Sequence, residues 1–241
     1  MNWLTTFMNS SIGKKFTMGI SGLLLCLFIA QHLVGNLMLF GGETLFNSYV
    51  ETLSAFKPLV RIIEFIITII FLSHIISGIR LTLDNRRANS SSYDVNAGSE
   101  TSSFSSRTMA ITGSVVFIFV IMHLSTIWYR FQLIHGSGSY YDIILGDEVG
   151  FGNPIYAALY VVAMVLMGVH LKHGFQSAFQ TFGVSDSRYK GLIEKVSMIF
   201  WFVIPAGFTW IALWFGSFIF SSRIDSADKV LASKLSEITN G

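Results

Sequence analysis

Charge is what this sequence has least of. Of its 241 residues only 12% are Asp, Glu, Lys or Arg, about half the share that a water-soluble domain carries, so it has too little charged surface to fold in water on its own. Cysteine is down to one residue and proline to three. Cys26 alone can close no intrachain disulfide and supplies no thiolate cluster for zinc or for iron and sulfur. Scarce proline and abundant phenylalanine speak against disorder. A net charge of +2 gives no bulk electrostatic reason to expect a nucleic-acid partner.

What fills the chain instead is apolar. Hydrophobic residues make up 52% of it, 22 of them phenylalanine, and the mean hydropathy is +0.59. A bilayer is the solvent that suits such a chain. A helix needs about 20 mostly apolar residues to cross about 30 Å of hydrocarbon, and five segments qualify. Phe16 to Gly42, Thr108 to Tyr129, Val149 to Leu171 and Val196 to Ser222 contain no Asp, Glu, Lys or Arg. The second in order, Phe65 to Ile79, borrows flanking turns and is read from Leu59 to Thr82. Helices are the reading for spans this apolar, because in lipid the backbone must satisfy its own hydrogen bonds.

The spacing therefore predicts an all-α membrane protein of five transmembrane helices, with residues 1–222 a single transmembrane domain and residues 223–241 a polar tail. The segment from Asp84 to Arg107 is a polar, Ser-rich loop. Lys14 and Lys15 precede an apolar stretch longer than the roughly 7–15 residues of a signal-peptide core, so that stretch is read as a retained span. One side of the membrane receives Lys14, Lys15, Arg80, Arg86, Arg87, Arg107, Lys172, Arg188, Lys190 and Lys195, and the other Lys57, Arg61, Arg130, Arg223, Lys229 and Lys234. The positive-inside rule puts the N-terminus in the cytoplasm and the C-terminus outside.

Ionisable residues inside spans are costly and usually functional. His32, His74, His123 and His170 lie one on each of the first four spans. With helix starts near Thr17, Leu59, Thr108 and Ile155, each histidine lies about 22 Å along its own helix at about 1.5 Å per residue. Odd and even spans run in opposite directions, so His32 shares one depth with His123, and His74 another with His170. With a hydrocarbon layer of about 30 Å the two depths are about 14 Å apart.

Two imidazoles per depth, with no carboxylate or thiolate beside them, make a poor zinc or manganese site. They suit haem, whose macrocycle supplies four equatorial nitrogens and leaves two axial positions. Without a C-x-x-C-H motif such haem is b-type, and with both axial positions filled by protein its natural work is electron transfer. The first four spans are therefore read as a haem-binding bundle with the fifth peripheral, and residues 1–222 as a single transmembrane cytochrome b domain. Gly35, Gly78, Gly168 and Gly174 stand near three of the four histidines and offer space for a flat ring, though glycine also serves helix packing. His173 is an alternative to His170. His135 falls in a loop. Ser21, Ser73, Ser77 and Lys172 are candidate hydrogen-bond partners for the imidazoles or for haem propionates.

Several strings together carry a family likeness: Gln31-His32-Leu33-Val34, Phe46-Asn47-Ser48, His74 with Gly78, Met122-His123-Leu124, and His170-Leu171-Lys172-His173-Gly174 leading into Ser177-Ala178-Phe179 and Thr181-Phe182-Gly183. The chain resembles, over nearly its whole length, the five-helix dihaem cytochrome b membrane anchor (b558) of succinate dehydrogenase and fumarate reductase. The resemblance implies that His32 and His123 bind the distal haem and His74 and His170 the proximal haem. It implies a flavoprotein and an iron-sulfur subunit as partners on the cytoplasmic face of a bacterial inner membrane, and a quinone, menaquinone, as substrate in the respiratory chain. Glu43, Glu51 and Glu64 are the carboxylates available for quinone protons, with Glu51 preferred. Some dihaem relatives that use fumarate carry a glutamate two residues before the last ligand, where this chain has Gly168. Other readings are the cytochrome b subunit of a hydrogenase or formate dehydrogenase, against which one ligand per helix speaks, and a proton-coupled transporter, for which the spans lack interior carboxylates.

Overall fold

The computed structural model describes residues 2–88, 108–133, 138–184 and 187–217. Among them there is no strand, and five helices are long and apolar enough to cross a membrane. Much of the expected polar loop, His135 and the polar tail at 223–241 lie outside the described residues.

A short helix α1 (Trp3–Asn9) precedes the first long one, α2 (Ser11–Leu37). Ser10 caps α2 by accepting from the Gly13 N–H at 3.0 Å, as serine does at helix starts. The corner between them requires Gly13, since a Cβ there would lie 1.9 Å from the Phe7 carbonyl oxygen. The first span ends earlier than the hydropathy suggests. After Leu37 a 3₁₀ turn (Met38–Gly41) leads to Gly42 at φ 81°, and the chain enters α3 (Gly42–Ala55).

Helix α4 (Lys57–Ala88) overshoots the expected Leu59–Thr82 at both ends. Pro58 is tolerated in its first turn, where N–H groups have no helical partner. Arg86 and Arg87 in its last turn suit the negative end of the helix dipole, and Asp84 pairs with Lys14 of α2 at 2.6 Å. Helix α5 spans Met109–Leu133, with a π turn at Leu124–Trp128 directly after His123. A short α6 (Tyr140–Leu145), capped by Ser139, packs against α3 through Asn47, which donates to the Ser139 hydroxyl at 3.1 Å and accepts from the Tyr141 N–H at 3.0 Å.

The fourth span begins at Pro154 rather than Val149, because Gly150 and Gly152 form close turns that a Cβ would block and Asn153 caps the helix. It continues past Leu171 to Thr181 as α7 (Pro154–Thr181). The fifth, α8 (Arg188–Ser217), contains a π turn at Ile199–Val203. Pro205 has no N–H to give the Trp201 carbonyl four residues earlier, which is the usual origin of such a break.

Helix α7 is the buried member. Tyr156, Tyr160, Ala163, Met164, Met167, Leu171 and Phe175 are all core residues, and α7 packs against α2, α5 and α8. Gly168 lets α8 approach, for a Cβ there would lie 2.8 Å from the Trp201 carbonyl oxygen. Close approach through small residues is how membrane helices gain contact without a hydrophobic drive between them. The fifth span was expected at the periphery, yet its Ile211, Ala212 and Phe215 are buried. Helix α4 leans on α2 and barely touches α5, so a cleft remains between α4 and the rest.

Candidate functional site

The cleft has a volume of about 2360 Å³ and is lined by His32, His74, His123, His170 and His173. It exceeds the roughly 300–1,000 Å³ of an ordinary ligand pocket, and in a close-packed interior such a volume is unusual. The imidazoles of the four spans face each other across it in two pairs. His74 of α4 and His170 of α7 have ring centroids 6.3 Å apart at 77°. His32 of α2 and His123 of α5 are 5.9 Å apart at 79°. The first pair is at the level where α2 begins, beside Gly22 and Gly113, and is called here the near level. The second is the far level.

At the near level a hydroxyl stands beside Nδ1 of each ring. The Ser21 Oγ lies 2.7 Å from the Thr17 carbonyl and 3.1 Å from His74 Nδ1. Thr112 Oγ1 likewise contacts the Thr108 and Met109 carbonyls at 3.1 Å and His170 Nδ1 at 3.4 Å. A neighbour at Nδ1 is the arrangement that suits an imidazole binding metal through Nε2. Of the serines and lysine proposed as partners, Ser21 alone meets an imidazole. Ser73 and Ser77 line a separate groove with Lys14 and Arg80, and the Lys172 ammonium stands 4.9 Å from the centre of the Trp201 ring.

At the far level aromatic rings flank the pair. Phe28 stacks on His32 at 5.5 Å and 19°, and Phe119 on His123 at 6.0 Å and 24°. Phe208 of α8 lies 5.8 Å from His32. His123 Nδ1 is 2.8 Å from the Tyr160 hydroxyl.

These parallels follow a repeat in the sequence. Thr17, Met18, Ile20, Ser21, Gly22, Phe28, His32 and Leu33 recur at one constant offset as Thr108, Met109, Ile111, Thr112, Gly113, Phe119, His123 and Leu124. His74 and Gly78 recur at another as His170 and Gly174. Thus α2–α4 and α5–α7 share one pattern of histidine and glycine positions. The repeat also corrects the reading of the glycines. The ones beside the rings are Gly22 and Gly113, where a Cβ would meet the Cε1 of His74 and of His170 at 3.1 Å. Gly35, Gly78, Gly168 and Gly174 instead face Tyr49, Met18, Trp201 and Met109.

At the cleft end near the far level, α4 and α5 share a polar cluster. Arg61 Nη1 is 2.7 Å from Glu64 Oε2, Trp128 Nε1 donates to Glu64 Oε1 at 3.0 Å, and Arg61 also donates to Gln132. The π turn shifts the helical phase after His123 and so bears on where Trp128 and Gln132 point. Arg61, Glu64, Trp128 and Gln132 all line the cleft, whereas Glu51 does not and is exposed on α3. Of the three carboxylates Glu43, Glu51 and Glu64, Glu64 is the one that lines the cleft. Glu43, also exposed, lies near Tyr141, whose phenol is pushed above its ordinary range by burial and by the Glu43 and Asp142 carboxylates. His173 lines the cleft but stands opposite no other imidazole ring.

The donor set decides what the site could hold. Among the described residues no three His, Cys, Asp or Glu gather as a metal cluster, so each level offers two imidazoles and nothing more. Two opposed imidazoles sharing one metal, with bonds of about 2.0–2.1 Å and roughly 1.1 Å from nitrogen to ring centre, lie about 6.3 Å apart. The observed 6.3 and 5.9 Å fit that spacing, and the glycines and cleft volume fit a flat macrocycle around it. Among known proteins, no family model, no curated protein and no solved structure matches the chain.

Proposed function

We propose that this chain is the dihaem cytochrome b membrane anchor subunit of a succinate:quinone oxidoreductase, a succinate dehydrogenase or fumarate reductase, carrying electrons between an iron-sulfur subunit and membrane quinone. The observation that carries the reading is the pair of opposed imidazole couples at two depths of one cleft. His74 and His170 would hold one haem b, and His32 and His123 the other. Haem, when bound, would supply a one-electron iron couple, and the two imidazoles of each level would hold it.

The residues of the chain do the rest. Ser21 and Thr112 orient the near-level imidazoles and keep their Nε2 atoms free. Phe28, Phe119 and Phe208 exclude water from the far level. At the cleft end beside that level, Arg61, Trp128 and Gln132 offer N–H donors suited to a quinone carbonyl, and the Glu64 carboxylate is placed to take or give a proton there. The N-terminal end of the bundle carries the larger share of Lys and Arg and is the side on which cytoplasmic flavoprotein and iron-sulfur partners would dock, in a bacterial inner membrane.

A reduced-minus-oxidised optical spectrum of the purified chain with haem quantitation tests the proposal. Two b-type haems per chain are expected. A chain that is purified intact and shows no α-band refutes it.

A further inference from the structure

Tyr160 stands apart from the other hydroxyls that meet the histidines. Ser21 and Thr112 each pass their own proton straight to a backbone carbonyl of the same helix. Tyr160 cannot do so, because its phenol reaches across from α7 to α5. Its hydroxyl instead stands 2.8 Å from His123 Nδ1, with the Phe151 and Tyr156 rings packed against it at centroid distances of 5.1 Å.

An imidazole that would hold a metal through Nε2 carries its remaining hydrogen on Nδ1. The Tyr160 oxygen is then the acceptor placed for it, and both groups are buried or half-buried.

The partner ring is treated differently. His32 meets no hydroxyl among the described residues, and it is held by ring contacts with Phe28 and Phe208. In the repeat, the residue of α4 that corresponds to Tyr160 of α7 is Glu64, which is turned to Arg61 and Trp128 instead. A hydroxyl of α7 thus meets the far-level imidazole of α5, while the carboxylate at the matching position of α4 is paired elsewhere.

We infer that Tyr160 is a positioning residue for the far level, holding the His123 imidazole through Nδ1 and making it a stronger electron donor than His32. An imidazole that donates its second N–H is the more basic ligand and favours the oxidised metal. The inference rests on the function proposed above, and it concerns one of the two levels only.

Redox titration of the full chain, purified from membranes and followed optically, tests it. Tyr160→Phe keeps the ring and removes the acceptor. The expected result is two haems per chain, a midpoint potential raised for the centre that His123→Ala abolishes, and an unchanged midpoint for the other. Tyr160→Gln, which can offer an acceptor again, is expected to bring that midpoint back toward wild type. A purely structural role would change stability and leave both midpoints in place. Two haems with midpoints unmoved in Tyr160→Phe, or moved only at the near level, overturn the inference alone. If Tyr160→Phe fails to assemble, Tyr160→Met, which also lacks the hydroxyl, is titrated in its place, and unmoved midpoints there overturn the inference equally. A wild-type chain without haem overturns the proposed function along with it.

Discussion

Gly22 of α2 lies so close to His74 of α4 that a Cβ would stand 3.1 Å from the imidazole Cε1, and Gly113 of α5 stands in the same relation to His170 of α7. Two glycines from different helices thus clear the space around one pair of rings. Gly22→Val and Gly113→Val should each reduce occupancy of the same centre, the one His74→Ala abolishes, while leaving the other intact. Haem quantitation and the two optical components measure this, and the alanine variants should show a milder form of the same loss.

The ring pairing predicts how single ligand losses sort. His32→Ala and His123→Ala should delete one spectral component, and His74→Ala and His170→Ala the other. His173→Ala should keep both, since His173 stands opposite no ring. Loss of a common component by His32→Ala and His74→Ala would contradict the pairing.

Quinone chemistry should depend on the cluster shared by α4 and α5 rather than on the exposed acids of α3. Glu64→Gln removes the proton carrier and should lower quinone turnover by about 10²-fold, the lower end of what general acid–base groups contribute, with haem content unchanged. Glu51→Gln should be close to wild type. Steady-state rates with a soluble quinone analogue in the assembled complex distinguish the two.

Gly168 carries a stability prediction independent of any cofactor. In Gly168→Ala the new methyl would stand 2.8 Å from the Trp201 carbonyl oxygen, and backbone at a π turn cannot swing aside as a side chain can. Overpacking of this kind costs about 1–3 kcal/mol. Thermal unfolding in detergent should show a lowered midpoint, and a variant as stable as wild type would mean that α8 can move away freely.

The five spans were readable because hydropathy alone selects apolar runs of bilayer length. Their ends were not, because they depend on local backbone chemistry: the positive φ of Gly42, the Gly150 and Gly152 turns before Pro154, and the last turns of α4, held by the Lys14–Asp84 pair. The grouping of His32 with His123 and His74 with His170 was also accessible, since path lengths along antiparallel helices fix relative depth without knowledge of packing. What surrounds the rings was harder to see. Thr112 and Tyr160 act from neighbouring helices, and nothing in a single helix's pattern points to them. The strings Thr17-Met18-Gly19-Ile20-Ser21-Gly22 and Thr108-Met109-Ala110-Ile111-Thr112-Gly113 held the missing signal, since a hydroxyl and a glycine repeated at equal distances before two histidines mark a shared environment. Glu64 was read beside a loop because the second span was started at Leu59. With α4 beginning at Lys57, Glu64 is two turns into a helix and faces α5.

Helix α7 touches both depths at once, giving His170 to one and Tyr160 to the other from a single rod bolted on three sides by α2, α5 and α8. A tilt or rotation of that rod, whether from a docking partner at one end or a bound molecule at the other, would be felt by both ring couples together, so the two sites share one mechanical lever.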